Sequence, residues 1–506
     1  MKRFFTLAAA LLLPLMAQAQ AKGSGQSPKS APAQKPMTAQ QYLDKMAKQK
    51  ALRGTLLGVT VRSADGKTLA SCNQDLRLTP ASNLKLVTTG CALHRFGAAH
   101  RFETRLGYTG SIDEDGTLNG DLYILGGGDP TTGAGDKIST PASALFKKWE
   151  NLLRQAGIKR INGRIIGDGH AYEGHLEHAS WSYDDLGTYY GTGMNALCFY
   201  ENAIDFAVAA TAEGEPVRFE QTYPETPWTH TENYSFTGPA GSGNSLYLFT
   251  TDLAPYAELR GTFATDRAPK TEHFANKFGD LSCAYEFYKS LQADSLEVTG
   301  GYARVSRSGR IEGPDFVPQD GVGRPDVIIG RTKSPKLEEI ARETNWRSDN
   351  FYAEALLRAM GESAGGIAVY DSCTVALKNT LGKLKLRTDG IQLADGSGLS
   401  RSNYLSARWL ADFLDAMKKS PAFSAFLESL PAPGQGTLNV VKLGEEADRI
   451  RMKSGSMNGV LCYSGYILDE EGNPEITFSI LTNNATASVR EVRTALVGFL
   501  DFLLSL

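Results

Sequence analysis

The sequence has 506 residues, enough for a large buried core and about two to four domains. Its apolar content of 42% and charged content of 22% are typical of a soluble globular protein. A net charge of −3, without a long basic run, argues against a nucleic-acid-binding protein.

The N-terminus predicts a secretory signal peptide over residues 1–19. Two basic residues precede an apolar run at 4–16, and AQA at 17–19 supplies a small-x-small cleavage site. The run is too short for a transmembrane segment, and no cysteine at the cleavage site indicates a lipid anchor. Residues 20–37 are rich in Gly, Ser, Pro and Lys and predict a flexible linker. We therefore expect an exported, periplasmic protein of Gram-negative type.

The six cysteines are widely scattered, and none forms a Cys-x-x-Cys pair that would indicate a zinc ribbon or a redox site. Several have apolar neighbours, which favours small buried side chains, although one or two disulfides stay open. The cysteines are Cys72, Cys91, Cys198, Cys283, Cys373 and Cys462.

In chain order, the sequence predicts an α+β protein. A helix at 38–50 precedes a hairpin at 55–71, and a further helix begins near residue 79. From about 101 to 325, short strands and Gly-rich turns dominate, with helices near 141–156 and 281–292. The C-terminal part is predicted to contain helices at 334–345, 351–360 and 374–384, a strand at 450–457, a hairpin at 464–483 and a helix from Ser488 onward.

The helix near residue 79 begins with TPASNLKLVTTG, residues 79–90. Thr79 is the predicted N-cap and Pro80 the first helical residue. Ser82 and Lys85 are one turn apart, so the hydroxyl and the amine can meet. Alone, the pair is weak evidence for catalysis and is more typical of a polar stripe on a surface helix.

Two motifs downstream change this interpretation. Ser-Asp-Asn at 348–350 lies between two predicted helices, and Lys-Ser-Gly-Ser at 453–456 ends a predicted strand. Each alone fits a helix cap or a turn. Ser-x-x-Lys, Ser-x-Asn and Lys-Ser/Thr-Gly in this order, however, are the three motifs of penicillin-recognising serine enzymes.

The chain resembles the class C low-molecular-mass penicillin-binding proteins, the D-alanyl-D-alanine carboxypeptidase/endopeptidase family, from about residue 40 to its end. Further similar stretches lie at 120–130, 181–191 and 395–403, and Ser454 stands where Thr is more usual. Because 262 residues separate Lys85 from Ser348, whole domains are inserted there. The resemblance implies a split catalytic domain, 38–100 plus 325–506, with an antiparallel sheet flanked by helices. Residues 101–324 would form one or two mostly β inserted domains.

The resemblance also implies roles for catalytic residues. Ser82 attacks the acyl carbon, and Lys85 removes its proton if burial and the nearby Lys453 keep the amine neutral. Ser348 passes a proton to the leaving amine, and Asn350 holds the substrate amide.

The remaining implied contacts bind substrate. The backbone N–H groups of Ser82 and Ser456 form the oxyanion hole. Lys453 with the Ser454 and Ser456 hydroxyls, on the strand that contains Gly455, receives the terminal carboxylate. Asp185 would face the diamino acid of the peptide, with an ordinary surface pair of Asp184 and Asp185 as the alternative.

The expected function is a penicillin-sensitive serine D,D-peptidase of peptidoglycan stem peptides. It would release terminal D-Ala, cut D-Ala–diamino acid cross-links, or both, and β-lactams would acylate Ser82. No cofactor, metal or nucleic acid is called for. The alternatives are a β-lactamase, an esterase on the same scaffold, and a non-catalytic wall-binding or penicillin-sensing module.

Two other patterns are weaker. Gly-Glu-Ser-Ala-Gly at 361–365 matches a nucleophile elbow around Ser363, but that fold needs a later histidine, and the last one is His273. It follows a predicted helix, so we expect a helix C-terminus. His170, His175 and His178 cluster in sequence, and a metal site there is a minor alternative.

Overall fold

The computed structural model describes residues 36–321, 323–365 and 368–506. The predicted signal peptide and nearly all of the predicted linker lie outside these residues. Residues 39–506 form one compact unit, so the predicted boundaries of the split domain and its insertion stay predictions. In the ranges described, no helix combines the length and the apolar character needed to cross a membrane.

Ten α-helices form in the described part of the chain; eight lie close to predicted positions, and α8 and α9 were not predicted. The first is shorter than predicted and is followed by a single 3₁₀ turn, Lys50–Leu52. The helices are α1 (Ala39–Ala47), α2 (Leu84–Phe96), α3 (Ala142–Gln155), α4 (Gly279–Ala293), α5 (Leu337–Glu343), α6 (Asn350–Glu362), α7 (Tyr370–Lys383), α8 (Ala407–Met417), α9 (Phe423–Glu428) and α10 (Val489–Leu504).

The strands form seven sheets within the described residues. They are β1 (Leu56–Ser63), β2 (Thr68–Cys72), β3 (Arg77–Leu78), β4 (Glu103–Tyr108), β5 (Ser111–Ile112), β6 (Thr117–Asn119), β7 (Leu122–Leu125), β8 (Arg160–Asn162), β9 (Ile165–Asp168), β10 (Ala203–Ala209), β11 (Arg218–Tyr223), β12 (His230–Asn233), β13 (Phe236–Gly238), β14 (Tyr247–Thr250), β15 (Tyr256–Arg260), β16 (Thr262–Ala264), β17 (Lys270–Ala275), β18 (Tyr302–Val305), β19 (Ile311–Glu312), β20 (Pro318–Gln319), β21 (Val327–Lys333), β22 (Leu405–Ser406), β23 (Ile450–Met457), β24 (Val460–Leu468) and β25 (Pro474–Asn483).

The main sheet joins the two ends of the chain. Its order is β2-β1-β25-β24-β23, antiparallel throughout, so the N-terminal hairpin pairs with the C-terminal one. Side chains of β24 alternate between the faces, as a strand buried on both sides requires. Leu461 and Tyr463 pack with α1 and α10, whereas Cys462 and Tyr466 pack with α2 and α8. The strand of the Lys-Ser-Gly-Ser motif, β23, is left at the edge.

The segment between the motifs is mostly β, as predicted. Its largest sheet has the order β20-β19-β18-β9-β7-β4-β21, and β21 pairs antiparallel with β4. Helices α3 and α4 cover this sheet through Trp149 and Phe287, which pack edge to face. Four smaller sheets of the described residues also lie in this segment, and one of them joins β10, β11 and β17 around Phe206.

The six cysteines are all free thiols. Five are buried and Cys72 is half-buried, so they act as small core residues, and neither of the disulfides that the sequence left open forms.

Candidate active site

Ser82 lies on a short turn that leads into a buried helix. The turn is a 3₁₀ segment, Ala81–Asn83, and α2 continues directly from it. Ala81 has φ of +47°, a left-handed conformation that non-glycine residues adopt only when the surroundings enforce it. The predicted capping role of Thr79 is wrong: Pro80 occupies the N-cap position, and the Thr79 backbone N–H donates to Asn483 Oδ1 at 2.8 Å.

The amine of Lys85 is buried and fully engaged. Its Nζ donates to Ser82 Oγ at 3.0 Å, to Asn350 Oδ1 at 2.6 Å and to the Ser397 carbonyl at 2.7 Å. Burial lowers the pKa of Lys85 to about 8, even though the charges of nearby carboxylates act in the opposite direction. Much more of the amine is therefore neutral near pH 7 than for an ordinary lysine, and a neutral amine can accept the proton of Ser82.

Lys453 of the Lys-Ser-Gly-Ser motif contacts Ser348 of the Ser-Asp-Asn motif. Its Nζ donates to Ser348 Oγ at 2.8 Å and to the Ser454 carbonyl at 2.7 Å. Burial first, and then the charge of Lys85, hold the pKa of Lys453 well below its usual value. The sequence predicted that burial and Lys453 would together lower the pKa of Lys85; burial is the cause that lowers it, and the remaining contributions come from carboxylates that raise it. Ser348 has φ of +58° and ends a π-helical turn, Thr344–Ser348.

Asn350 links α6 to the rest of the site. Its Oδ1 accepts from Lys85, and its Nδ2 donates to the Tyr190 carbonyl at 2.9 Å. The residue between the two motif positions, Asp349, has a structural role, because its Oδ1 caps α6 by accepting from the Tyr352 N–H at 2.9 Å.

The strand β23 approaches the Ser82 turn closely. A Cβ at Gly455 would lie 2.7 Å from the Pro80 carbonyl oxygen and 2.8 Å from the Asn83 nitrogen, so this position requires glycine. Ser456 is exposed, and Ser454 Oγ contacts Thr437 Oγ1 at 2.9 Å. Serine hydroxyls thus flank the point where strand and helix meet.

Asp185 lies near the site without touching the motif side chains. Tyr190 donates its hydroxyl to Asp185 Oδ1 at 3.2 Å, and the carbonyl of the same tyrosine accepts from Asn350. Burial raises the pKa of the Asp185 carboxyl, with a further contribution from Asp184, which is exposed. Half-buried Asp185 therefore differs from its neighbour in environment.

The buried carboxylate of Glu354, which the sequence did not indicate, holds the loop whose carbonyl accepts from Lys85. Glu354 accepts from the Gly396 N–H at 3.1 Å and the Ser397 N–H at 2.8 Å, and thereby fixes the carbonyl to which Lys85 donates. Burial, together with the charge of Asp395, raises the pKa of Glu354 to about 7. Its spacing of four residues from Asn350 on α6 is a signal that places both on one helix face.

Two further polar residues were also missed. Asn345 Nδ2 donates to Thr89 Oγ1 at 3.1 Å and to Ser429 Oγ at 2.9 Å, which ties α2 to the turn that carries Ser348. Thr437 reaches Ser454 from a 3₁₀ turn, Gly436–Leu438. Neither residue belongs to a recognisable motif, so no local signal points to it.

The rival serine motif is not a nucleophile elbow. As predicted, α6 ends at Glu362 with Ser363 as its C-cap. Ser363 Oγ accepts from Arg95 Nε at 2.8 Å and donates to the Met360 carbonyl at 3.2 Å, and among the described residues no histidine contacts it.

His170, His175 and His178, which are close in sequence, do not form a common metal-binding group among the described residues. His178 Nδ1 contacts Ser180 Oγ at 2.7 Å. Ligand atoms of His175, Glu177 and Asp252 do lie within 4.8 Å of one another. Lys277 and Arg307, however, already pair with these carboxylates at 3.2 and 3.3 Å, so the group carries no metal assignment.

The model of the D-Ala-D-Ala carboxypeptidase 3 (S13) family matches residues 39–503. The chain belongs to this family. It is 29% identical to the D-alanyl-D-alanine carboxypeptidase of Actinomadura sp. (strain R39) over 87% of this chain and 80% of that protein. It is 24% identical to the D-alanyl-D-alanine carboxypeptidase DacB of Haemophilus influenzae over 90% and 91%.

The fold is also that of a solved relative. The crystal structure of penicillin binding protein 4 from Haemophilus influenzae superposes with a TM-score of 0.75 at 23% identity, covering 92% of this chain and 98% of that one. The predicted α+β penicillin-binding fold is therefore confirmed. As an S13 carboxypeptidase, the protein is a serine D,D-peptidase and a low-molecular-mass penicillin-binding protein.

Proposed function

We propose that Ser82 is the nucleophile of this D,D-peptidase and that Lys85 is its base. The observation that carries the proposal is the 3.0 Å contact from Lys85 Nζ to Ser82 Oγ, made by a buried amine whose pKa is lowered to about 8. A hydroxyl is a poor nucleophile until a neighbouring base removes its proton. Family membership favours the peptidase over the esterase and sensor alternatives.

The acylation step balances with the groups in the cleft. Ser82 Oγ bonds to the carbonyl carbon of the penultimate D-Ala while its proton moves to Lys85. The carbon–nitrogen bond then breaks, and the leaving amine takes a proton from Ser348. Ser348 regains a proton from the amine of Lys453, which is 2.8 Å away. The proton that Lys85 took from Ser82 replaces it on Lys453, so every group except Ser82 returns to its starting state. Water hydrolyses the resulting ester, releases the shortened peptide and restores the Ser82 hydroxyl.

The remaining groups bind and orient the stem peptide. Asn350 contacts the substrate amide, and the N–H groups of Ser82 and Ser456 receive the oxyanion. Lys453, Ser454 and Ser456 bind the terminal carboxylate along the strand at Gly455.

Asp185 is the proposed partner of the diamino acid. Its carboxyl is half-buried and linked through Tyr190 to Asn350, so a cationic group that reaches it lies beside the bound amide. A charge-assisted contact there would orient the peptide for attack.

The setting of the reaction is the cell wall. After removal of residues 1–19, the enzyme would act in the periplasm on stem peptides and their cross-links. β-Lactams would acylate Ser82 as substrate mimics. A solved structure of penicillin binding protein 4 from Haemophilus influenzae contains such a compound.

Digestion of purified peptidoglycan tests the proposal. Mass analysis should show free D-Ala, shrinking dimer peaks, or both with the parent protein, and neither with Ser82→Ala. Ser363→Ala is the matched control, because it removes a serine hydroxyl from the helix end outside the cleft, and it should digest like the parent. Digestion by Ser82→Ala at the parental rate would contradict the assignment.

A further inference from the structure

Arg347 connects the turn of Ser348 to the mostly β segment between the motifs. Its guanidinium pairs with Glu201 and Asp136 of that segment, at 3.1 and 3.0 Å, and with Asp349 at 2.9 Å. These three carboxylates are largely buried, with 19%, 10% and 9% of their side chains exposed. Because the N–H groups of a guanidinium point in fixed directions, several partners together fix its position. Arg347 directly precedes Ser348 in the chain, so these contacts also hold the backbone of the serine.

The backbone of Ser348 is strained. Its φ of +58° is a left-handed conformation, which a non-glycine residue keeps only when its surroundings enforce it. In this conformation, Ser348 Oγ lies 2.8 Å from Lys453 Nζ. A backbone that relaxed to an ordinary φ would point the hydroxyl in another direction and break this contact. The proposed proton transfer by Ser348 therefore depends on the contacts that hold Arg347, its neighbour in the chain.

Glu201 is also held in an unusual conformation. It is the middle one of three successive left-handed residues, Tyr200–Asn202, with φ of 53°, 55° and 49°. Asn202 is fully buried, and its carbonyl accepts from the Asn276 N–H at 2.8 Å. Both carboxylate oxygens of Glu201 accept from Arg347 Nη2 at 3.1 Å. Strain of this kind is concentrated at functional sites, and here it directs the carboxylate toward Arg347.

The contact of Glu201 with Arg347 is not needed to balance charge. A guanidinium carries one positive charge, and Asp136 and Asp349 already pair with it. Burial, and then the charge of Asp349, raises the pKa of Glu201, while Arg347 acts in the opposite direction. What Glu201 contributes is a hydrogen-bond acceptor in a fixed place, and a neutral acceptor in the same place can supply it as well.

We propose that Glu201 is a positioning residue for Ser348. It holds Arg347 in place and thereby keeps the Ser348 hydroxyl where it can protonate the leaving nitrogen. The inference rests on the proposed function and deepens it, because it assigns part of the proton transfer to a residue far from all three motifs. The attack of Ser82 on the acyl carbon does not use Ser348. Only the departure of a leaving group that needs a proton then depends on Glu201.

Two substrates that differ only in their leaving group test this. An acyl-D-Ala-D-Ala peptide releases an amine, which must take a proton as the carbon–nitrogen bond breaks. In a thioester with the same acyl group and a mercaptoacetate leaving group, the carbon–sulfur bond breaks and a thiolate departs without a proton. Lys85 then gives the proton of Ser82 to solvent. The ratio of kcat/KM for the two substrates therefore reports the proton transfer by Ser348.

The variant Glu201→Ala should change this ratio. Its kcat/KM should fall about tenfold for the peptide and less than threefold for the thioester, because only the peptide needs the Ser348 hydroxyl in place. Glu201→Gln keeps an acceptor for Arg347 and should restore the peptide rate to within about threefold of the parent.

The control removes a similar ion pair elsewhere in the segment. Glu258 on β15 is 18% exposed and pairs with Arg260, so Glu258→Ala should cleave both substrates like the parent. If Glu201→Ala fails to fold, Arg347→Lys is the second variant. An ammonium keeps the charge but lacks the planar set of donors, so this variant should also lose more activity on the peptide than on the thioester.

The outcomes separate this inference from the proposed function. If Glu201→Ala slows both substrates equally or neither, or if Glu201→Gln is as slow as Glu201→Ala, the positioning role alone is overturned. Ser348→Ala is the reference and should slow the peptide far more than the thioester. If Ser348→Ala slows both substrates equally, the proposed proton transfer by Ser348 is overturned itself.

Discussion

Lysines are buried in two regions of this protein and meet different partners there. Lys277, between β17 and α4, pairs with Glu177 at 3.2 Å and donates to the Gly191 carbonyl at 2.8 Å. Lys85 and Lys453 in the cleft donate to hydroxyl, amide and carbonyl oxygens, and no carboxylate in the described ranges forms an ion pair with either. Burial lowers the pKa of all three.

The difference distinguishes a structural amine from a catalytic one. A buried cation that contacts a carboxylate keeps its charge and holds the fold together. A buried amine surrounded by neutral acceptors is more easily deprotonated, which is what a general base for Ser82 requires. The comparison can be tested by changing the catalytic amine, Lys85, or the structural one, Lys277.

The largest effect is expected from Lys85→Arg. The variant keeps a cation in the cleft but cannot lose its proton, because guanidinium stays charged. Acylation by labelled penicillin should fall by about 10³-fold or more, measured as the rate of covalent label incorporation. An unchanged melting temperature would show that the fold is intact. A rate within tenfold of the parent would mean that Lys85 is not the base.

The pH dependence of acylation tests the same amine without mutation. The neutral form of Lys85 is the active one, so the rate should rise with pH and level off above about 8, where the pKa lies. Below that value, each pH unit should reduce the rate about tenfold. A rate that is flat from pH 6 to 9 would contradict a base with this pKa.

Lys277→Met should affect stability and leave chemistry alone. It leaves the Glu177 charge buried without its cation, at a cost of about 3 kcal/mol in the free energy of unfolding. Denaturant titration measures this, and the acylation rate should stay within about twofold of the parent. Adding Glu177→Leu should restore part of the loss, because both charges are then gone. If Lys277→Met is as stable as the parent, or if it is acylated slowly, then Lys277 does not differ from Lys85 in the way described.

The sequence predicted much of the fold because its signals are local. The hairpin at 55–71 has an Asp-Gly turn, and the last helix begins next to Ser488, as expected, with that serine as its cap. The three motifs together also predicted that Ser82, Lys85 and Asn350 would lie close together. No single motif, taken alone, predicts this.

What could not be predicted depends on tertiary contacts. Glu354 matters because a loop about 40 residues away presents its N–H groups to it, and Thr437 because a turn approaches β23. The predicted cap at Thr79 failed because the turn begins later, at Ala81, with Pro80 in the N-cap position. The roles of the individual site residues stay predictions until they are measured.

The most direct measurement is the position of the covalent adduct. The protein is incubated with benzylpenicillin, digested, and mapped by tandem mass spectrometry. We predict a single penicilloyl group on Ser82, absent from the Ser82→Ala protein. An adduct on Ser348, on Ser363 or on another residue would contradict the assignment of Ser82 as the nucleophile.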